Sequence, residues 1–130
     1  MEKKAKTNKF QQIYTKDERI GLIHKNKLEI KQALKSVDKD TLKLYEKVID
    51  EAAQYATSLS EINAIIARDG FVDSYQNGEN QYGTKKSVAA ELKPKYTQTY
   101  HMLIKQLSEL LPTEGEKDAA AELMDFINDK

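Results

Sequence analysis

The side chains that carry most enzyme chemistry are scarce in this sequence. Its 130 residues include no cysteine and two histidines, His24 and His101. Without cysteine there is no thiolate nucleophile, disulfide or Cys-ligated zinc. The histidines fall in different predicted helices, and neither sits in a His-x-x-x-His or His-x-Glu pattern for a metal. Each reads as a surface or boundary residue. The 5 glycines are scattered, with no phosphate-loop or dinucleotide pattern, and no nucleophile elbow surrounds a serine. Acidic pairs such as Asp50-Glu51, and Asp38 with Asp40, suit helix surfaces and caps. A metal-dependent nuclease built on clustered carboxylates is the enzymatic alternative, and no motif supports it. The chain reads as a non-enzyme with no cofactor and no metal.

What remains is electrostatics. Lysine and arginine total 21 and aspartate and glutamate total 21, so the net charge is zero, but the signs are segregated. Residues 1–35 hold ten basic side chains against four acidic, residues 36–111 nine against eleven, and residues 112–130 two against six. A basic end is suited to a polyanion and an acidic end to a basic protein surface, against the plainer reading of two solvated termini. On charge alone the candidate phosphate contacts are Lys3, Lys4, Lys6, Lys9, Lys16, Arg19, Lys25, Lys27 and Lys31, with Lys85 and Lys86 as a secondary pair.

The elements that would position these groups are mainly helical. Hydrophobic residues make 39% and charged residues 32% of a chain with only 2 prolines, a composition of long-helix proteins. Residues 1–14 form a polar arm. Thr15-Lys16-Asp17-Glu18 matches a capping box, and a basic helix follows to about Lys35. Its apolar face is Ile20, Ile23, Ile30 and Leu34, which leaves Lys25, Lys27, Lys31 and Lys35 outward.

Asp38 or Asp40 caps a second helix, predicted to run unbroken from Thr41 to Asp69 with no Gly or Pro. Leu42, Tyr45, Ile49, Ala52, Ala56, Leu59, Asn63 and Ile66 form a heptad seam on it. Asn63 is either a polar register-setter between subunits or part of a fraying end, and Ser58 to Glu61 offers a possible break.

Gly70 stops that helix. Phe71 to Tyr75 and Gln76 to Gly83 read as a hairpin around Asn77-Gly78; a four-residue loop would set Tyr75 opposite Tyr82, as a base-stacking platform or as hairpin packing. Helical spacing resumes from Lys85 to Leu111, with Val88, Leu92, Tyr96, Tyr100, Leu103, Leu107 and Leu110 in phase across Pro94. That phase favours one helix kinked at Pro94 over two helices. A short acidic helix ends the chain, bearing Leu123, Met124, Phe126 and Ile127; it either docks back or serves as a helical peptide for a partner's groove.

The expected fold is mainly α: a long antiparallel helical pair joined by a β-hairpin, with a basic N-terminal helix and a short C-terminal helix. Three segments follow, namely residues 1–37 for DNA, 38–112 for oligomerisation and 113–130 for a protein partner. No run reaches the roughly 20 apolar residues of a membrane span, and Met1 to Lys6 lack the apolar stretch of a secretory signal.

Gly70-Phe71-Val72, then Tyr75-Gln76-Asn77-Gly78-Glu79-Asn80-Gln81-Tyr82-Gly83-Thr84-Lys85-Lys86-Ser87-Val88-Ala89-Ala90-Glu91, and the ending Ile104 to Pro112 closely resemble small subunits of tailed-phage terminases. The resemblance covers residues 41–112, with the Tyr-Gln-Asn-Gly-Glu-Asn-Gln stretch its most specific part. It implies a genome-packaging protein of the host cytoplasm that binds double-stranded viral DNA, forms a homo-oligomeric ring and recruits or regulates the large subunit. In that setting Leu42, Tyr45, Ile49, Ala52, Leu59, Ile66, Leu92, Tyr96, Leu103 and Leu107 are the candidate contacts between copies. Leu123, Met124, Phe126 and Ile127 are the candidate contacts to the large subunit. The competing expectation is a helical structural or regulatory oligomer without nucleic-acid binding.

Overall fold

A computed structural model describes residues 13–76, 82–112 and 117–129. Five helices and one hairpin follow in the order α1 (Lys16–Ala33), α2 (Lys39–Leu44), α3 (Glu46–Asp69), β1 (Val72–Gln76), β2 (Tyr82–Lys86), α4 (Val88–Ser108) and α5 (Lys117–Asn128). The polar arm assigned to residues 1–14 lies almost wholly outside the described residues, and residues 113–116, where Thr113 and Glu116 match a capping box in sequence, lie outside them too.

Local chemistry sets most of the boundaries. At the start of α1 the Glu18 amide donates to the Thr15 hydroxyl at 3.1 Å, and the Thr15 amide donates to Glu18 Oε1 at 2.9 Å. This is the predicted capping box, with two free amides satisfied reciprocally. Asp38, not Asp40, caps α2 by accepting from the Thr41 amide and hydroxyl at 3.1 and 2.8 Å. Gly70 ends α3 at φ 81° and ψ −167°, a conformation essentially confined to glycine. Ser87 caps α4 through a bond from the Ala90 amide.

Two expectations are corrected. The helix over 41–69 is interrupted at Tyr45, whose ψ of 16° departs from the helical value. The Tyr45 amide bonds both the Thr41 and Leu42 carbonyls and the Ile49 amide bonds the Tyr45 carbonyl, but no amide of Glu46, Lys47 or Val48 bonds back to α2, so the helical ladder is broken there. The cause is tertiary: Leu42, Tyr45 and Val48 all tuck against the core, and propensity alone carries no sign of it. In the hairpin, Gln76 pairs with Tyr82 and Tyr75 with Gly83. The two tyrosines are therefore not cross-strand partners, and β2 continues through Lys86, which delays α4 to Val88. One helix does run through Pro94, and Ser58 to Glu61 makes no break in α3.

Helix α3 is the centre of the molecule, packed on one side by α1 and on the other by the returning α4. Ile49, Ala52, Ala53, Ala56 and Leu59 of α3 share one core with Ile30, Ala33 and Leu34 of α1 and with Tyr100, Leu103, Ile104 and Leu107 of α4. The run of alanines lets neighbouring helices approach closely. On α1 the buried stripe differs from expectation: Ile20 is 56% exposed, while Asn26 is buried and donates to Thr57 Oγ1 at 2.9 Å. Helix α5 docks against α1 and inserts Leu123 and Phe126 into the core, with the Phe126 ring 6.3 Å from Tyr100. All three sequence segments thus contribute to a single core.

Tyr100 is 2% exposed, and its hydroxyl has no hydrogen-bond partner among the described residues. Burial, with a smaller contribution from the charge of Glu29, pushes its ionisation far above the usual tyrosine range. An unsatisfied buried hydroxyl costs about 1–3 kcal/mol. Tyr100→Phe should therefore leave the unfolding free energy unchanged or raise it by about 1 kcal/mol, whereas Tyr100→Ala should lower it by about 3–5 kcal/mol, both measured by urea denaturation. A loss above about 1 kcal/mol in Tyr100→Phe would show that the hydroxyl is satisfied.

Candidate nucleic-acid interface

The basic residues nominated from charge are dispersed by the fold into three groups. The first is held by acids of α3. Arg19 donates through Nε and Nη2 to both oxygens of Glu61 at 3.0 to 3.1 Å, and through Nη2 to the Tyr14 carbonyl at 3.0 Å. Glu61, buried in the middle of α3, also accepts the Ile13 and Tyr14 amides at 2.9 and 3.0 Å. One carboxylate thus fixes the chain entering α1 against the central helix.

Lys27 bridges Asp50 at 2.7 Å and Glu46 at 2.9 Å, and Lys31 approaches Glu46 at 3.7 Å. The Asp50 hydrogen bond, then that of Glu46, holds the Lys27 ammonium above its ordinary pKa, and Lys27 in turn lowers Glu46. These cations are spent on the α1–α3 packing. Half of the acidic pair Asp50-Glu51 is accordingly an ion-pair partner.

The second group is exposed and without an ion pair among the described residues: Lys16 and Lys25 on α1, and Lys85 and Lys86 on β2. Lys16 and Lys25 are nine residues apart, about 180° around the helix at 100° per residue, so they do not share a face. Lys16 lies one turn before Arg19, and Arg19 lines the same cavity as Ser87, next to Lys86. The third group, Lys3, Lys4, Lys6 and Lys9, lies outside the described residues.

No family model matches this chain, and comparison with curated proteins and with solved structures finds no match.

Sequence reasoning missed one basic feature. Lysines recur every four residues at Lys27, Lys31, Lys35, Lys39, Lys43 and Lys47, and the last four are exposed along the turn after α1, α2 and the start of α3. Its only signal is that four-residue period, which runs across the boundary at residue 37. Among the described residues no group of three or more acidic or histidine side chains is placed to hold a metal. His24 and His101 are both exposed.

The residues nominated for contacts between copies are mostly internal. Ile49, Ala52, Leu59, Leu103 and Leu107 are buried within one chain. Leu42, Tyr45 and Tyr96 pack against the same core, and Ile66 and Leu92 are half-buried. A second copy cannot reach the buried set without opening the fold, because α1 and α4 already occupy both sides of the seam. On α5, Leu123 and Phe126 are likewise buried and Ile127 packs against the core, which leaves Met124 exposed at 54%.

Desolvation pushes the Glu61 carboxyl up, but the hydrogen bonds from Arg19 and Tyr14 and the Arg19 charge outweigh it, so its pKa lies below the ordinary value. A depressed carboxylate stabilises the fold above its unfolded pKa, about 4.3, and loses that contribution as pH falls through the folded value. Glu61→Gln should thus cost about 1–2 kcal/mol at neutral pH, with the difference from wild type shrinking below about pH 4.3. Urea denaturation of both proteins across that range checks it; a difference that persisted or grew in acid would contradict the charge-based role.

Proposed function

We propose that this chain is a terminase small subunit of a tailed phage, which binds double-stranded viral DNA, self-assembles and recruits or regulates the large subunit that packages the genome in the host cytoplasm. The observation that carries this reading is the stretch Tyr75 to Glu91, which resembles that family and here spans the hairpin and the first turn of α4. The family's order of long helix, polar hairpin and returning helix is the order of α3, β1–β2 and α4.

DNA binding in this reading is electrostatic. Arg19, Lys27 and Lys31 are engaged by acids, so phosphate contact falls to the exposed Lys16, Lys25, Lys85 and Lys86 and to Lys3, Lys4, Lys6 and Lys9. Contacts of this kind position a protein on the duplex without reading bases. Repetition in an oligomer adds weak phosphate contacts through multivalency. Large-subunit contact falls to the outer face of α5, where Met124 and Asp125 are exposed.

The ion pairing of three nominated cations favours a second reading, a helical structural or regulatory oligomer with no nucleic-acid role. Equilibrium binding to duplex DNA over a range of salt separates the two. In the packaging reading log affinity falls linearly with log salt, and Lys85→Gln/Lys86→Gln makes the slope shallower by about 1.8, or about 0.9 per phosphate. No binding at low salt would favour the second reading. An unchanged slope in the double variant would move the phosphate contacts elsewhere.

A further inference from the structure

A cavity of about 270 Å³ opens where the C-terminal half of α3, the base of the hairpin and the first turns of α4 meet. Its walls are apolar, from Ile62, Ile65, Ala89 and Leu92, and its polar lining includes three carboxylates, Glu61, Asp69 and Asp73. Two of the three are neutralised: Glu61 by Arg19 at 3.0 Å and Asp69 by Arg68 at 2.7 Å. Asp73 differs. It is 8% exposed, and no described residue donates a hydrogen bond to its carboxylate or pairs with it. An apolar-walled cavity ending in one buried, unpaired anion has the chemistry of a receptor for a single alkylammonium or guanidinium group. Its volume lies below the roughly 300 Å³ at which drug-sized ligand pockets begin, which suits one side chain.

Val88 of the lining is 50% exposed; Phe71, itself 66% exposed, is joined to this edge by the Ser87 amide, which bonds the Phe71 carbonyl at 2.9 Å. The complementary feature sits at the other end of the molecule. Leu44 is 82% exposed, and it is flanked by Lys43 and Lys47, both exposed and unpaired among the described residues. The 24 residues of α3 separate the two ends by about 36 Å at 1.5 Å per residue, so they cannot meet within one chain.

We propose that the Asp73 cavity receives Lys43 or Lys47 from a second copy of this chain, with Leu44 seated on Phe71 and Val88, so that copies join head to tail. Three points carry the assignment to a second copy: the cavity lacks one cation, the opposite end carries unpaired cations, and each end bears an exposed apolar residue beside its charge. A contact between two different surfaces is heterologous, and repetition closes into a ring or runs on as a filament. The inference rests on the self-assembly in the proposed function and is independent of DNA binding.

The absence of native cysteine gives a direct test. Leu44→Cys and Phe71→Cys are made as separate full-length variants, mixed in equal amounts and oxidised mildly, and the products are identified by non-reducing electrophoresis and intact mass. Both positions are exposed, so neither change opens the core. A disulfide requires Cα atoms within about 7 Å. The expected result is a Leu44→Cys to Phe71→Cys heterodimer as the main product, several-fold above either variant alone. Placing Asp73→Asn in the Phe71→Cys chain should reduce that product several-fold.

Equal cross-linking in the unmixed samples would replace the head-to-tail contact by a symmetric one and overturn the proposal. So would no cross-link at all, or indifference to Asp73→Asn. If wild type assembles by light scattering while the mixed pair stays uncross-linked, this contact is wrong and the packaging reading stands. If the heterodimer forms and duplex DNA is not bound, the contact stands and the packaging reading fails.

Discussion

Everything in this fold depends on helix α3 having both of its apolar sides covered by the chain that carries it. Its seam of Ile49, Ala52, Ala56 and Leu59 meets Ile30, Ala33 and Leu34 of α1 on one side and Tyr100, Leu103 and Leu107 of α4 on the other. Burial of such side chains is the dominant favourable term in folding. Two polar links then fix the register of α1. Asn26 donates to Thr57, which itself donates to the Ala53 carbonyl at 2.9 Å, so a buried amide is satisfied. Glu61 collects Arg19 and two backbone amides from the chain entering α1. Apolar contact supplies the energy and these polar links supply specificity, since leaving any of them unpaired would be costly.

Much of this was legible in the sequence where local chemistry decides. The Thr15 to Glu18 capping box, the stop at Gly70 and the helix–hairpin–helix order depend on a few adjacent residues and were predictable from them. What was not legible depends on tertiary partners. A heptad seam states that a helix wants apolar neighbours without stating whose chain they belong to; of the ten residues nominated for contacts between copies, all but Ile66 and Leu92 lie in or against the chain's own core. Tyr45 bends the chain with no Gly or Pro to mark it, because packing of Leu42 and Val48 prevails over propensity. The hairpin register differs by one position at Tyr82, enough to separate the two tyrosines. Glu61 reads in sequence as a local cap and acts as a long-range anchor 42 residues from Arg19.

The same limit governs the charges. Counting lysines treats each as available, but Arg19, Lys27 and Lys31 face acids of α3 across the helix packing. Their role in this structure is to seat α1, and the charge left for a polyanion is smaller and more spread than the count of ten basic residues in the first 35 implies. Internal closure of the seams leaves contacts between copies to the apolar and charged groups that stay exposed, Leu44 and Phe71 among them. A ring assembled that way would be built from complete subunits rather than from exchanged helices, and its stability would be separable from that of the subunit.

The measurement that bears most directly on this account is the urea midpoint of the Leu44→Glu variant over a roughly hundredfold range of protein concentration. That variant removes the exposed leucine at the end of the molecule while leaving the core untouched. If α3 is covered within one chain, the midpoint does not move with concentration. If the seam is instead covered by a second chain, mass action makes folding concentration-dependent by about 2.7 kcal/mol over that range, and a midpoint that climbs accordingly would contradict the closed subunit.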